Sequence, residues 1–283
     1  MKIYNTKEEG IIVFFKDQYY SLKEYGWDDL VNQVHLRAKV KLILDDRLPL
    51  VNFDISKLTL LPPIGQQEVW ASGVTYLRSK NARMAESQSK EGGDFYDKVY
   101  VAERPELFFK STAARVVGPL GEVNIRPDST WDVPEPELTL FITSEGSIEG
   151  YTAGNDMSSR SIEGQNPLYL PQAKMYEKSA ALGPCLYVPK ESVFKANTQI
   201  RLKISRGGEV CFDESIGIDQ MKRNEVELKD YLMYGYTFPV GVYLMTGTGI
   251  VPPDSFTLAA GDVVSISIDG IGELVNTVAV LQK

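Results

Sequence analysis

The stretch Asp132-Val133-Pro134-Glu135-Pro136-Glu137-Leu138 decides how this chain is read, because it opens a strand and lines up two carboxylates on it. After Pro136 the residues Leu138, Leu140 and Ile142 alternate with Thr139 and Phe141. That is the pattern of a strand, on which residues two apart project to one face, roughly 7 Å along the chain. Glu135 and Glu137 therefore share a side. The turn residues Ser144-Glu145-Gly146 lead back to a second strand-like run from Tyr151 to Asn155. Pairing of the two runs would set Asp156 beside the glutamates. Three oxygen donors on rigid elements suit Mg²⁺ or Mn²⁺, with positions left for water and substrate. A plainer reading stands beside this one. A Glu-x-Glu pair near an edge strand is commonly a solvated face, and Asn155-Asp156-Met157-Ser158 fits an Asx turn or a helix cap.

The composition narrows the class. With 283 residues and 43% hydrophobic content, the chain has ample material for a large core and room for two domains. Its formal charge of −8 argues against nonspecific nucleic-acid binding, which needs a basic face, and directs attention to a small-molecule partner. Cys185 and Cys211 are far apart and outside any metal-type spacing, as expected for a reducing compartment. No apolar signal core opens the sequence, and no run of about 18 apolar residues occurs in it. A soluble, cytoplasmic protein without membrane contact is expected.

Outward from the central stretch, residues 1–64 carry the strand-like run Ile11-Ile12-Val13-Phe14-Phe15. They also carry a helix candidate after Asp28-Asp29, with Leu30, Val31, Val34, Ala38 and Leu42 at helical spacing. The pair Pro62-Pro63 breaks the pattern, which places a boundary between a small N-terminal α+β domain, 1–64, and a larger domain, 65–283. The larger domain is mainly β, with further alternating runs at 199–204, 263–268 and 277–281. Helices are expected over about 76–90 and 219–234. The polar, glycine-interrupted segment 79–98 has the profile of a mobile loop over a site, and equally that of a surface helix and turn.

Taken in order, several blocks resemble the fumarylacetoacetate hydrolase family. They are Trp70-Ala71-Ser72-Gly73-Val74-Thr75-Tyr76, Arg104-Pro105-Glu106-Leu107-Phe108-Phe109-Lys110, Pro134-Glu135-Pro136-Glu137-Leu138, Gly154-Asn155-Asp156-Met157-Ser158-Ser159-Arg160, Gln172-Ala173-Lys174 with Leu182-Gly183-Pro184, and Thr246-Gly247-Thr248-Gly249. The resemblance spans about residues 66–283. Through Arg104-Pro105-Glu106 and Asn166-Pro167-Leu168-Tyr169-Leu170-Pro171-Gln172 it is closest to the 2-keto-3-deoxy-D-arabinonate dehydratase branch. It implies an α+β, mainly β fold with a mixed β-roll core, Mg²⁺ held by Glu135, Glu137 and Asp156, and assembly as a homodimer or homotetramer.

One departure separates the chemistries within that family. Its hydrolases activate water with a histidine shortly after the position of Tyr76, paired with a glutamate. Here that place reads Leu77-Arg78-Ser79-Lys80-Asn81-Ala82-Arg83, and the single histidine, His35, lies beside the apolar stripe of the first helix, where a structural role is expected. Arginine stays protonated and cannot replace the imidazole as a base. Enolisation of a metal-chelated 2-keto acid needs no such histidine, and a hydroxyl at C4 can then be expelled.

Lys174, after the apolar Leu168-Tyr169-Leu170-Pro171 run, is the candidate to take a proton or to hold the substrate's charge, although a lysine chosen blindly is usually a surface residue. Glu106, between Pro105 and Leu107-Phe108-Phe109, is the candidate proton donor, and pairing with Arg104 or Lys110 is its plainer role. By the resemblance, Ser72 and Thr248 in their glycine turns bind substrate, and Arg160 orients a carboxylate ligand, with Ser161 where the family usually has an acid. Tyr76 and Arg104 are candidates for the far end of a sugar acid. The expected reaction is Mg²⁺-dependent dehydration of a 2-keto-3-deoxy pentonate to 2,5-dioxopentanoate. The alternatives are an acylpyruvate-type carbon–carbon hydrolase, a β-keto-acid decarboxylase and a noncatalytic sugar-acid binder.

Overall fold

Every residue of the strand Pro136–Ile142 is buried, so other elements must cover both of its faces. The structure is a computed structural model describing residues 1–77, 99–190 and 197–282. Among these residues the strand lies inside an eleven-stranded mixed sheet. Its neighbours are Ile148–Asp156 on one side and Val242–Met245 on the other, both antiparallel. From Val242–Met245 the sheet continues in parallel to Glu68–Gly73 and then, antiparallel, to Glu106–Thr112. In the other direction it runs through Ala180–Tyr187 to Lys2–Thr6, Gly10–Phe15 and Gln18–Ser21.

The alternation in 138–142 sorts its side chains between two cores. Leu138, Leu140 and Ile142 pack with Ile200, Leu202, Ile204, Val264, Ile266 and Ile268 of a five-stranded sheet stacked on that face. Phe141 points the other way, into a core with Tyr243, Met245 and the helix residues Leu30, Val31, Leu36, Val40 and Leu44. A sheet covered on both faces takes apolar residues at odd and even positions alike, which is why Phe141 stands among Leu138, Leu140 and Ile142 in this run.

The mainly β architecture with mixed sheets agrees with the sequence reading, and two details differ. The first strand joins the main sheet across the expected boundary at residue 64. Lys2 and Ile3 pair with Tyr187 and Leu186, and Asn5 donates a hydrogen bond to the Pro62 carbonyl. The single helix expected after Asp28 is two helices, Trp27–Val31 and Leu36–Asp45. His35 between them adopts a left-handed φ of 60°, and the Glu149 carboxylate accepts from the His35 and Leu36 amides, both at 2.9 Å. This break resets the helical phase. The buried face is Leu36, Val40 and Leu44, whereas Leu42 of the expected stripe is 68% exposed. The later helix is shorter than expected, Glu225–Met233, capped by the Asn224 side chain. The segment 79–98, and the expected helix beyond Leu77, lie outside the described residues.

Gly154 sits opposite Glu137 at the centre of the ladder. A Cβ there would stand 2.3 Å from Thr139 Oγ1 and 3.1 Å from Met245 Cε, two residues that face each other on adjoining strands. Gly154→Ala is therefore expected to cost about 1–3 kcal/mol of stability through overpacking, read from urea unfolding. An unchanged midpoint would show that Thr139 simply turns aside.

Candidate active site

One carboxylate oxygen from each of Glu135, Glu137 and Asp156 lies within 4.8 Å of the other two, and all three residues are buried. The ladder creates this arrangement. Pro136 faces Asn155 and Glu137 faces Gly154, while the Asp156 amide donates to the Glu135 carbonyl at 3.0 Å. Past these residues the two chains stay together, because Asp132–Val133 pairs with Ser158–Ser159.

Three buried cations surround the carboxylates. Lys174, at the end of the short helix Leu170–Lys174, donates from Nζ to Glu135 Oε2 at 2.7 Å and to Asp156 Oδ2 at 2.9 Å, and also to Ser158 Oγ. Arg160 donates to Glu135 Oε1 at 2.6 Å. Lys110 Nζ lies 2.6 Å from Asp156 Oδ1. Glu137 is held differently, accepting the Gly247 amide at 2.6 Å. Burial, together with the Asp156 and Glu135 charges, pushes the Glu137 carboxyl well above the ordinary glutamate range. Burial pushes the Lys110 ammonium below the usual lysine range, against the opposing pull of Asp156.

The other residues singled out in the sequence surround this cluster. Gly247 lies against Ser72 and Thr75, since a Cβ on it would meet Thr75 Oγ1 at 2.0 Å and the Ser72 carbonyl at 2.9 Å. The Thr248 hydroxyl closes its own turn, donating to the Ile250 carbonyl and accepting the Ile250 amide, both at 3.2 Å. The Ser72 hydroxyl donates to the Glu106 carbonyl at 3.0 Å. Glu106 pairs with Gly73, and its carboxylate covers that glycine so closely that a Cβ there would stand 2.0 Å from Oε2. Two residues along the same strand, the Phe108 ring lies 5.8 Å from Lys174 Nζ. Tyr76 is buried, and burial followed by the Glu137 charge raises its phenol above the ordinary range.

The candidate Arg104 points elsewhere, and so does the histidine expected to be structural. Arg104 stacks on Tyr231 at 5.4 Å, and exposed His35 lines a surface cleft with Arg37, Lys41 and Lys190.

Several participants were missed in the sequence. Ser161 bonds to Ser129 at 2.9 Å, and the acidic partner of Arg160 is instead Glu163, buried at 4.0 Å one helical turn on. The spacing of three residues was the available signal. In the sequence Lys110 offers itself only as a pairing partner for Glu106, whereas in the structure it reaches Asp156. Arg223 was not singled out at all. It donates to the carbonyls of Ala102 and Glu103, while the neighbouring Lys222 amide donates to the Thr75 carbonyl at 2.9 Å. One loop thus ties down the chain on both approaches to the cluster.

The donor set fits a divalent cation. Its ligand atoms are all carboxylate oxygens, hard donors preferred by Mg²⁺ and Mn²⁺, and they converge closely enough to share one ion. The elevated Glu137 carboxyl makes the same point, because three buried carboxylates cannot all stay ionised together without added positive charge.

Comparison with known proteins agrees with this geometry. The family profile described as fumarylacetoacetate (FAA) hydrolase C-terminal matches residues 69–279. A probable 2-keto-3-deoxyxylonate dehydratase of Haloferax volcanii is 46% identical over 216 residues, covering 76% of this chain and 73% of that protein. The 2-dehydro-3-deoxy-D-arabinonate dehydratase of Saccharolobus solfataricus is 38% identical over 264 residues, covering 90% and 89%. A solved structure of 2-keto-3-deoxy-D-arabinonate dehydratase complexed with magnesium and 2,5-dioxopentanoate superposes with a TM-score of 0.86 at 31% identity, covering all of both chains.

Added Mg²⁺ at about 100 times its dissociation constant is expected to raise the unfolding free energy by about 2.7 kcal/mol, seen as a higher melting temperature. Glu137→Gln should abolish most of that rise. Equal stabilisation of the variant would place the ion elsewhere.

Proposed function

Since the chain belongs to the fumarylacetoacetate hydrolase family, we propose that it is a Mg²⁺-dependent hydro-lyase converting a 2-keto-3-deoxy-pentonate to 2,5-dioxopentanoate. The observation that carries this reading is the placement of Lys174. A group able to transfer protons stands directly on two of the three carboxylates, while the chain's one histidine lies on a surface cleft away from them. Charge supports the reading. Lys110, Lys174 and Arg160 face Glu135, Glu137, Asp156 and Glu163, a formal balance of −1. A dication makes that +1, which the single carboxylate of a keto acid neutralises.

Glu135, Glu137 and Asp156 would hold Mg²⁺, which would supply positive charge to the ketone and carboxylate oxygens of the keto acid and favour loss of a proton from Lys174 beside it. Lys174 Nζ then takes a proton from C3. Glu106 gives a proton to the C4 hydroxyl, which leaves as water. The same two groups carry the remaining protons: one leaves C5 and one returns to C3, which leaves an enol at C5 that becomes the aldehyde as C4 gains a proton and the enol hydroxyl gives one up. The glycine turns bearing Ser72 and Thr248 orient the polar groups of the substrate, and Arg160 holds Glu135 in place. The buried surroundings exclude bulk water from the reacting carbons.

Among the described residues no helix is long and apolar enough to cross a membrane. The same proposal has the protein working in a reducing cytoplasm, consistent with its two free cysteines, and, on the family's pattern, as a homodimer or homotetramer.

Purified protein with Mg²⁺ is expected to form a semialdehyde from 2-keto-3-deoxy-pentonate. Failure to do so, with rapid cleavage of an acylpyruvate, would replace dehydration by hydrolysis. Glu106→Gln should slow dehydration by about 10²–10⁴-fold while Mg²⁺-dependent exchange of the pyruvate methyl protons with deuterated solvent persists. Lys174→Ala should lose both. Wild-type dehydration by Glu106→Gln would remove that residue from its role.

A further inference from the structure

The strand Glu106–Thr112 is bulged at a single residue. Phe109 pairs with Trp70 and Ser111 with Val69, so the register skips Lys110. Bulges beside functional sites commonly re-aim a side chain or bend the strand that carries it. Alternation already places Glu106, Phe108 and Lys110 on one face, and the unpaired position turns the ammonium of Lys110 into the interior, where it is 1% exposed.

Its ammonium makes one ion pair and two hydrogen bonds there. Besides the contact with Asp156 Oδ1 at 2.6 Å, Nζ donates to the Met157 carbonyl at 3.0 Å and to the Lys174 carbonyl. The Lys174 carbonyl also accepts from Ser179 Oγ at 2.7 Å, so the end of the short helix is held from two directions. One ammonium therefore joins three separate pieces of chain: the strand bearing Glu106, the strand end bearing Asp156, and the backbone of Lys174. A leucine or methionine would fill the space without the desolvation cost of a buried charge, and buried ion pairs are weak sources of stability. Besides the charge that offsets Asp156, a lysine here brings a geometric gain.

We propose that Lys110 is a positioning residue that fixes Glu106, Asp156 and Lys174 relative to one another, so that proton removal at C3 and proton delivery at C4 occur on one bound substrate. The inference rests on the dehydratase reading. It assigns Lys110 no contact with substrate and no proton to transfer. Small displacements of reacting groups are costly, and a misplacement of about 1 Å can reduce a rate about a hundredfold.

Lys110→Met keeps most of the length of the side chain and removes its ties. Lys110→Arg keeps the charge and alters the reach. Each is compared with wild type in Mg²⁺ titration calorimetry using the metal alone, and in steady-state dehydration. Both variants are expected to bind Mg²⁺ within about threefold of wild type, and Lys110→Met more tightly if anything, because a positive charge beside the ion has been removed. In both, kcat should fall by about ten- to a hundredfold with KM little changed.

Wild-type kcat in Lys110→Met would overturn the proposal, and wild-type kcat in Lys110→Arg would show that charge alone matters. Loss of Mg²⁺ binding together with activity, or failure of both variants to fold, would make Lys110 a scaffold residue and overturn it as well. The wild-type protein separates this inference from the one beneath it: no semialdehyde from wild type sinks the reaction, whereas equal rates for wild type and variants sink only the role of Lys110.

Discussion

Mutual repulsion among three buried carboxylates is the constraint on which the rest of the molecule depends. At separations of 4.8 Å or less, each pair of like charges costs about 3–4 kcal/mol at an effective dielectric near 20. Three pairs together approach roughly 10 kcal/mol, comparable with the whole stability of a typical domain. Such a cluster exists only if positive charge is brought to it. Lys110, Lys174 and Arg160 each reach a carboxylate oxygen at 2.6–2.7 Å, and the Gly247 amide reaches the remaining glutamate at 2.6 Å. With Glu163, which lies beside Arg160, counted as well, the residual formal charge of −1 is what makes the site a receptor for a small hard cation.

Repulsion of that size would open the cluster if its frame were soft. The frame is stiff because the strands that carry the carboxylates are buried on both faces, between a second sheet and the N-terminal helices. Gly154 allows close approach within that layer, and the hydrogen-bonded ladder fixes the register between Glu137 and Asp156. The groups proposed to move protons lie on different elements, Lys174 on a short helix and Glu106 on the strand at the end of the sheet beyond Glu68–Gly73, so packing rather than sequence proximity sets their places. Rigid placement of groups with opposed charges lets a keto acid be bound and deprotonated in one position.

What could be read from the sequence was what is encoded locally. The two-residue period puts Glu135 and Glu137 together, and the turn at Ser144-Glu145-Gly146 returns the chain to Asp156, so their convergence was legible. The absent histidine was legible by inspection. Long-range pairing left no such mark: nothing near Lys2 or Ile3 announces Tyr187 and Leu186 as partners, so the first 64 residues read as a separate unit. The helix phase failed at His35, where a carboxylate more than a hundred residues away, Glu149, starts a new helix. Lys110 and Glu163 were hidden for a related reason. A charged residue looks solvent-exposed until its buried partners are known, and those partners come from other strands and helices.

The central claim is that one divalent ion sits among Glu135, Glu137 and Asp156. Crystals soaked in Mn²⁺ and measured at the manganese absorption edge test it most directly. The account predicts one strong anomalous peak within about 2.2 Å of an oxygen from each of the three side chains. A peak that misses any of them, or density showing the carboxylates occupied only by Lys110, Lys174 and Arg160, would contradict it.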